Sequence, residues 1–110
     1  MKSINMEISL DGLNLSPEDK NLSACEIFGK MIDGIIMSYS QMKQGLTDKE
    51  RRQYYKILDV IGDVLKNNDT EMNLEDSEFG FLKTCKQDTK MMPNKLLRRV
   101  EDKIEAVKQR

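Results

Sequence analysis

Apolar and polar residues alternate clearly only at the start of the chain. The apolar members of this alternation are Ile4, Met6, Ile8 and Leu10. Because side chains two positions apart share one face of a strand, the pattern predicts a β-strand with one apolar face. Asp11-Gly12 follows, a dipeptide that suits a type I′ turn, and Leu13 and Leu15 resume the alternation. The sequence therefore predicts a β-hairpin over residues 4–15, which needs helices or another chain against its apolar face.

From residue 22 onward the apolar residues recur every three or four positions, the period of an amphipathic helix. Two capping-box patterns mark helix starts, Ser23 with Glu26 and Thr47 with Glu50. Gly45 is a typical stop for the first of these helices. We therefore predict helices over residues 22–44 and 48–67, with the first, which is the most hydrophobic, at the centre of the core.

Two further amphipathic segments follow. Asn73 is a candidate N-cap for a helix over residues 74–87, and Pro93 fits the first turn of a helix over residues 93–108. The sequence shows no fixed-period repeat, low-complexity segment or long internal linker. The predicted fold is mainly α, an N-terminal β-hairpin followed by a bundle of about four helices, in a single domain over residues 1–110.

Two glycines interrupt the most hydrophobic helix. Gly29 and Gly34 each cost about 1 kcal/mol relative to alanine inside a helix. Their presence predicts either a neighbour packed closely against the helix or a bend in it.

The amino-acid composition disfavours several classes of function for this protein. The 110 residues include 18 Lys+Arg and 19 Asp+Glu, a net charge of −1, which disfavours a nucleic-acid-binding protein. The chain has no histidine, the commonest general base and metal ligand. An acidic stretch that starts at Asp69 resembles a calcium loop, but Leu74 stands where the EF-hand requires glycine. We therefore predict no enzyme activity, no metal site and no cofactor.

The apolar stretches and the cysteines indicate a cellular setting. The longest apolar-rich stretch, Ile27–Met37, is interrupted by Lys30 and Asp33, so no membrane span is predicted. Because Met1 is followed directly by the polar Lys2-Ser3, we expect no secretory leader before Cys25 and Cys85. We expect reduced, partly buried thiols in a cytosolic protein, and a disulfide only if the fold brings the two cysteines together.

Five residues are candidates for binding a partner or ligand: Arg51, Arg52, Tyr55, Arg98 and Arg99. Arginine and tyrosine are frequent in the energetically important centres of interfaces. On a helix, Arg51 and Tyr55 would form one patch while Tyr54 packs inward. The alternative is that these arginines form exposed ion pairs with acidic neighbours, of which the sequence offers Asp48, Glu50 and Glu101.

Four segments, taken in order, resemble a family of small uncharacterised proteins of tailed bacteriophages. They are Ile8-Ser-Leu-Asp-Gly-Leu13, Leu22–Ile36 with its Phe28-Gly29-Lys30 step, Met72-Asn-Leu-Glu-Asp-Ser-Glu-Phe-Gly-Phe-Leu-Lys83 and, more loosely, Met92-Pro-Asn-Lys-Leu-Leu97. The resemblance extends over residues 6–100, and the chain departs from the family in the longer, more charged stretch Gln41–Lys66. It implies phage origin and the host cytoplasm as the setting, and it assigns no site.

Three functional hypotheses follow. The first is a non-enzymatic interaction or assembly protein, a homo-oligomer whose hairpin edge or methionine-bearing helical surface docks another copy or a larger phage or host protein. The second is an anti-defence protein that inhibits a host factor or holds a small anionic host signal with its arginines. The third and least supported is a DNA-binding regulator, for which the last helix offers a basic stripe of Lys95, Arg98, Arg99 and Lys103.

Overall fold

The computed structural model describes residues 1–107, and residue 108 of the last predicted helix lies outside them. Two short strands and four α-helices form the described chain, together with one 3₁₀ turn at Asp19–Asn21. In chain order the elements are β1 (Lys2–Asn5), α1 (Ala24–Met42), α2 (Asp48–Lys66), β2 (Glu71–Leu74), α3 (Asp76–Asp88) and α4 (Lys95–Glu105). The predicted class, mainly helical with four helices and an antiparallel pair of strands that includes the N-terminal segment, is confirmed.

The partner of the first strand differs from the prediction. β1 pairs antiparallel with β2, in a register that places Ile4 opposite Met72 and Ser3 opposite Asn73. Met6 extends the pairing, because its N–H donates to the carbonyl of Thr70 at 2.8 Å. The predicted apolar face is present, since Ile4, Met6 and Ile8 are buried, but a local hairpin over residues 4–15 is wrong.

The geometry of the Asp11-Gly12 turn explains why no hairpin forms. The turn exists, since the N–H of Leu13 donates to the carbonyl of Leu10 at 3.3 Å. Of its two central residues, only Gly12 has a positive φ, +75°. A type I′ turn needs a positive φ at both central residues. Types I and II, in which the first central residue has a negative φ as Asp11 does, splay the flanking strands, so residues 13–15 do not pair with the first strand.

The bounds of the first two helices lie within two residues of the predicted ones. Both capping boxes are formed, Ser23 with Glu26 and Thr47 with Glu50, and α1 and α2 end close to the predicted positions. Each helix also ends in a Schellman motif. At the end of α1, the N–H of Gly45 donates to the carbonyl of Ser40 at 2.8 Å. The same pattern at the end of α2 places Asn68 in the left-handed region, at φ +52°.

The last two helices start later than predicted, and the last one also ends earlier, at Glu105. Asn73 lies in β2 and does not cap α3, whose N-cap is Glu75 with no side-chain capping hydrogen bond. The segment before α3 alternates in burial, with Met72 and Leu74 buried, which is the pattern of a strand. α4 begins after Asn94, whose side chain accepts from the N–H of Leu97 at 2.7 Å, so Pro93 precedes the cap.

One continuous core joins all of these elements. α1 lies at its centre, in contact with α2, α3 and α4, and its side chains Phe28, Ile32 and Ile36 are fully buried. The sheet lies against α2 and α4. The core is therefore continuous from the N-terminal strand to the last helix.

The two longest helices pack tightly together at Gly29. A Cβ atom at this position would lie 2.7 Å from Cγ2 of Ile61, closer than real carbon atoms approach. A Cβ at Gly34, one and a half turns further along α1, would meet nothing within 4 Å. The close neighbour expected from the glycines is thus present at Gly29, and it is a branched side chain of α2.

The two glycines provide a matched pair of variants. We expect Gly29→Ala to lower the free energy of unfolding by about 1 kcal/mol, because overpacking against Ile61 outweighs the gain in helix propensity. Gly34→Ala should raise it by as much as about 1 kcal/mol, since the new methyl group meets open space. Urea denaturation measures both. Stabilisation by both variants would show that α1 and α2 do not meet closely at Gly29.

Candidate interaction surface

One side of α2 faces away from the core. Ile57, Ile61 and Val64 form the buried side of this helix. Residues spaced alternately four and three positions apart lie on the opposite side, and all of them are exposed. The stripe consists of Asp48, Arg52, Tyr55, Asp59, Gly62 and Lys66, and two exposed charged residues, Arg51 and Asp63, flank it. We call these eight residues the outer face of α2.

Tyr55 is the large apolar residue of the outer face, and 55 % of its surface is exposed. Its ring lies 5.8 Å from that of Tyr54, centroid to centroid, at an interplanar angle of 42°. Tyr54 is half-buried, and its hydroxyl donates to Oδ1 of Asp33 on α1 at 2.5 Å. The predicted division, with Tyr54 inward and Tyr55 outward, is therefore present, and contacts within the chain hold the exposed ring.

The Tyr54 phenol lies in a setting that disfavours its ionised form. Burial raises the pKa of Tyr54 to about 12, and the Asp33 carboxylate acts in the same direction. Tyr54 is therefore neutral at physiological pH and is available as a hydrogen-bond donor to Asp33.

Arg51 and Arg52 share one carboxylate. Nη2 of Arg52 lies 3.0 Å from Oδ2 of Asp48, and Nη2 of Arg51 lies 3.5 Å from its Oδ1. Nη1 of Arg51 also donates to the carbonyl of Leu46 at 2.8 Å. All three charged side chains are about half exposed or more, so these pairs are screened by solvent and contribute little to stability. The ion pairs with Asp48 that the sequence offered as an alternative are thus formed.

Arg98 and Arg99, the other two arginines predicted to bind a partner, have different surroundings in the structure. Arg99 is half-buried, and its Nη1 donates to the carbonyl of Ser9 at 2.6 Å, which fastens the segment after β1 to α4. Arg98 is exposed to solvent. No described contact joins either residue to Arg51, Arg52 or Tyr55, and α4 packs mainly on α1 and β1. The five candidate residues therefore form no common site.

A cleft of about 170 Å³ lies where α1, α3 and α4 meet, away from the outer face of α2. Its wall includes Leu97, Glu101 and the mostly buried Lys86, whose Nζ donates to Oε1 of Glu105 at 2.6 Å. Oγ1 of Thr89 is buried there without a hydrogen-bond partner among the described residues. The cleft is small, its walls are largely apolar, and the ammonium group of Lys86 is already paired with Glu105.

The two cysteines are free thiols. Cys85 is fully buried, and burial raises its pKa to about 12. Burial also raises the pKa of Cys25, which is only partly covered. Because the thiolate is the nucleophilic form, both sulfurs are held in their less reactive state at neutral pH.

Within residues 1–107 no three His, Cys, Asp or Glu side chains are grouped as metal ligands would be. None of the helices in that range combines the length and the apolar character that crossing a bilayer requires.

Comparison with known proteins returns no relative. No protein-family model matches the chain, and no curated protein and no solved structure is significantly similar to it.

Sequence reasoning missed half of the outer face. The four missed residues are Asp59, Gly62, Asp63 and Lys66, and their helical spacing from Tyr55 was the signal that could have revealed them. The role of Arg99 was hidden for another reason. Its partner, Ser9, lies 90 positions away, and the contact is made to a backbone oxygen, which every residue carries.

Replacing the two adjacent arginines of α4, Arg98 and Arg99, should have different effects on the free energy of unfolding. We expect Arg99→Ala to lower the free energy of unfolding by about 1.5 kcal/mol, because it removes a charged hydrogen bond to Ser9 and the packing of the arginine stem. Arg98→Ala should change it by less than about 0.5 kcal/mol. Equal effects in chemical denaturation would contradict the structural role of Arg99.

The late ionisation of the Tyr54 phenol should be detectable in an alkaline titration. The unfolded phenol has a pKa of about 10, and the folded one has a pKa of about 12. Because the pKa of Tyr54 is higher in the folded state, its neutral phenol contributes fully to stability below pH about 10. This contribution is lost as the pH approaches about 12. Tyrosinate absorbance should show a late step that Tyr54→Phe removes and Tyr55→Phe retains. Persistence of the step in Tyr54→Phe would contradict this.

Proposed function

We propose that this chain is a small, non-enzymatic interaction protein of the tailed-phage type. It acts in the host cytoplasm through protein–protein contacts, and it associates with copies of itself. The observation that carries the proposal is the exposed Tyr55 ring at the middle of the outer face of α2, flanked by Arg51 and Arg52. Tyrosine and arginine at the centre of an exposed helical face are typical of protein interfaces.

The way Tyr55 is held supports this role. A side chain that binds a partner loses rotamer freedom, and a side chain already held in place loses less. The ring of Tyr55 lies against Tyr54, and the hydrogen bond to Asp33 fixes Tyr54 in turn. The outer face thus offers a large apolar group whose orientation is set before any partner arrives.

The competing hypothesis, a protein that holds a small anionic signal, receives less support. Such a site needs several cations free to converge on one ligand. Arg51 and Arg52 are both paired with Asp48, and Arg99 donates to Ser9. A small anion would therefore compete with oxygen atoms that the chain itself supplies.

Self-association should depend on concentration and on Tyr55. We expect the sedimentation coefficient of the wild-type chain to rise between about 10 µM and about 1 mM, the range in which weak interfaces form. Tyr55→Ser should weaken this association about tenfold or more, because it removes the central apolar side chain.

Met92→Ser is the matched control. Met92 is even more exposed than Tyr55, at 83 %, and it lies between α3 and α4 and not on the outer face of α2. Its replacement should leave the association unchanged. A wild-type chain that remains monomeric over the whole range would refute the proposed self-association.

A further inference from the structure

The distribution of charge along the outer face of α2 points to a specific mode of self-association. We propose that two copies pack the outer faces of their α2 helices against each other, antiparallel, around a two-fold axis that crosses these faces at the height of position 57 along the helix. This inference rests on the proposed function, because it specifies the surface and the orientation of the self-association. The partner it names is a second copy of this chain.

Charge sign changes along the helix. On the outer face, two of the three charged residues before Ile57 are cationic, Arg51 and Arg52, and two of the three after it are anionic, Asp59 and Asp63. A parallel pair would place like charges side by side, whereas an antiparallel pair places the cationic half of each helix against the anionic half of the other. Charge complementarity of this kind fixes the orientation of helix pairs.

The antiparallel arrangement also pairs individual residues. Around an axis near position 57, each residue faces the one equally far on the other side of that position. Arg51 then lies opposite Asp63 of the partner subunit, which joins the exposed, solvent-screened Asp48 as a second counter-charge. Asp48 lies opposite Lys66 of the partner subunit. Tyr55 lies beside Asp59 of the partner subunit, within reach of a phenol–carboxylate hydrogen bond. Two-fold symmetry makes each of these contacts twice.

Gly62 supplies the space that such an approach needs. A Cβ at this position would meet nothing within 4 Å among residues 1–107, so none of these residues requires a glycine there. Inside a helix it costs about 1 kcal/mol relative to alanine. In the antiparallel pair it lies opposite Arg52 of the partner subunit, a side chain that is 75 % exposed in the single chain. The bare backbone at Gly62 leaves room for the long arginine stem to lie along the helix.

The size of the surface sets the expected strength. A helix of 19 residues is about 28 Å long, so one pair of α2 helices buries an area in the class of weak, transient interfaces. Exposed ion pairs contribute modestly and are screened by salt. The association should therefore be weak, reversible and weaker still in about 1 M salt, where the screening length is about 3 Å.

Charge reversal tests the pairing, with Arg51→Asp and Asp63→Arg as the two variants. Each single variant places like charges opposite each other at two points of the symmetric pair, so each should weaken self-association about tenfold or more. An equimolar mixture of the two variants should form a heterodimer as tightly as the wild type forms a homodimer. Each subunit then supplies the charge that the other requires, at both points. Sedimentation velocity measures all three samples.

Two controls keep the test decisive. Asp102→Arg makes the same change at an exposed position of α4 and should leave self-association unchanged. Thermal unfolding of Arg51→Asp shows whether loss of the Leu46 contact disturbs the fold, and Asp63→Arg breaks no described contact.

The possible outcomes separate the two proposals. Weakened single variants and a restored mixture support the antiparallel pairing. Self-association that survives either reversal, or that the mixture fails to restore, overturns the pairing through α2 and leaves self-association standing. A wild-type chain that is monomeric throughout overturns both.

Discussion

The close contact between Gly29 of α1 and Ile61 of α2 determines how the rest of the molecule is arranged. Because a hydrogen atom replaces a side chain at Gly29, α2 can bring a branched residue against the backbone of α1. That contact sets the rotation of α2 about its own axis. With Ile57 and Ile61 directed inward, Tyr54 reaches Asp33 and Tyr55 is left on the outside. The surface proposed for binding is therefore a consequence of packing in the core.

Local signals in the sequence were enough to locate the two longest helices. Ser23 and Thr47 start α1 and α2 through capping boxes, which depend only on residues three positions apart. The strands could not be predicted in the same way. β1 pairs with a segment 70 positions away, and Asn73, a residue typical of helix caps, lies in the partner strand. A propensity for capping is a weak constraint when a strand offers backbone hydrogen bonds and burial of Met72 and Leu74.

The candidate site was only partly predictable, for a related reason. Arg51, Arg52 and Tyr55 are unusual enough to be noticed in a sequence, whereas exposed aspartates such as Asp59 and Asp63 resemble ordinary solvated positions. Their interest comes from geometry, because they share one side of α2 with Tyr55. Arg99 shows the opposite case. It resembled a binding residue, but it fastens the segment after β1 to the last helix.

The pairing of β1 with β2 also has a consequence during synthesis. The segment that contains Ile4, Met6 and Ile8 leaves the ribosome well before Met72 and Leu74, its partners in the finished sheet. Until those residues emerge, an alternating apolar segment with unpaired backbone groups remains without its native neighbour. Native pairing must then close a long loop, a step that slows folding. The nascent chain is therefore most exposed to wrong strand partners, or to chaperones, before β2 has been translated.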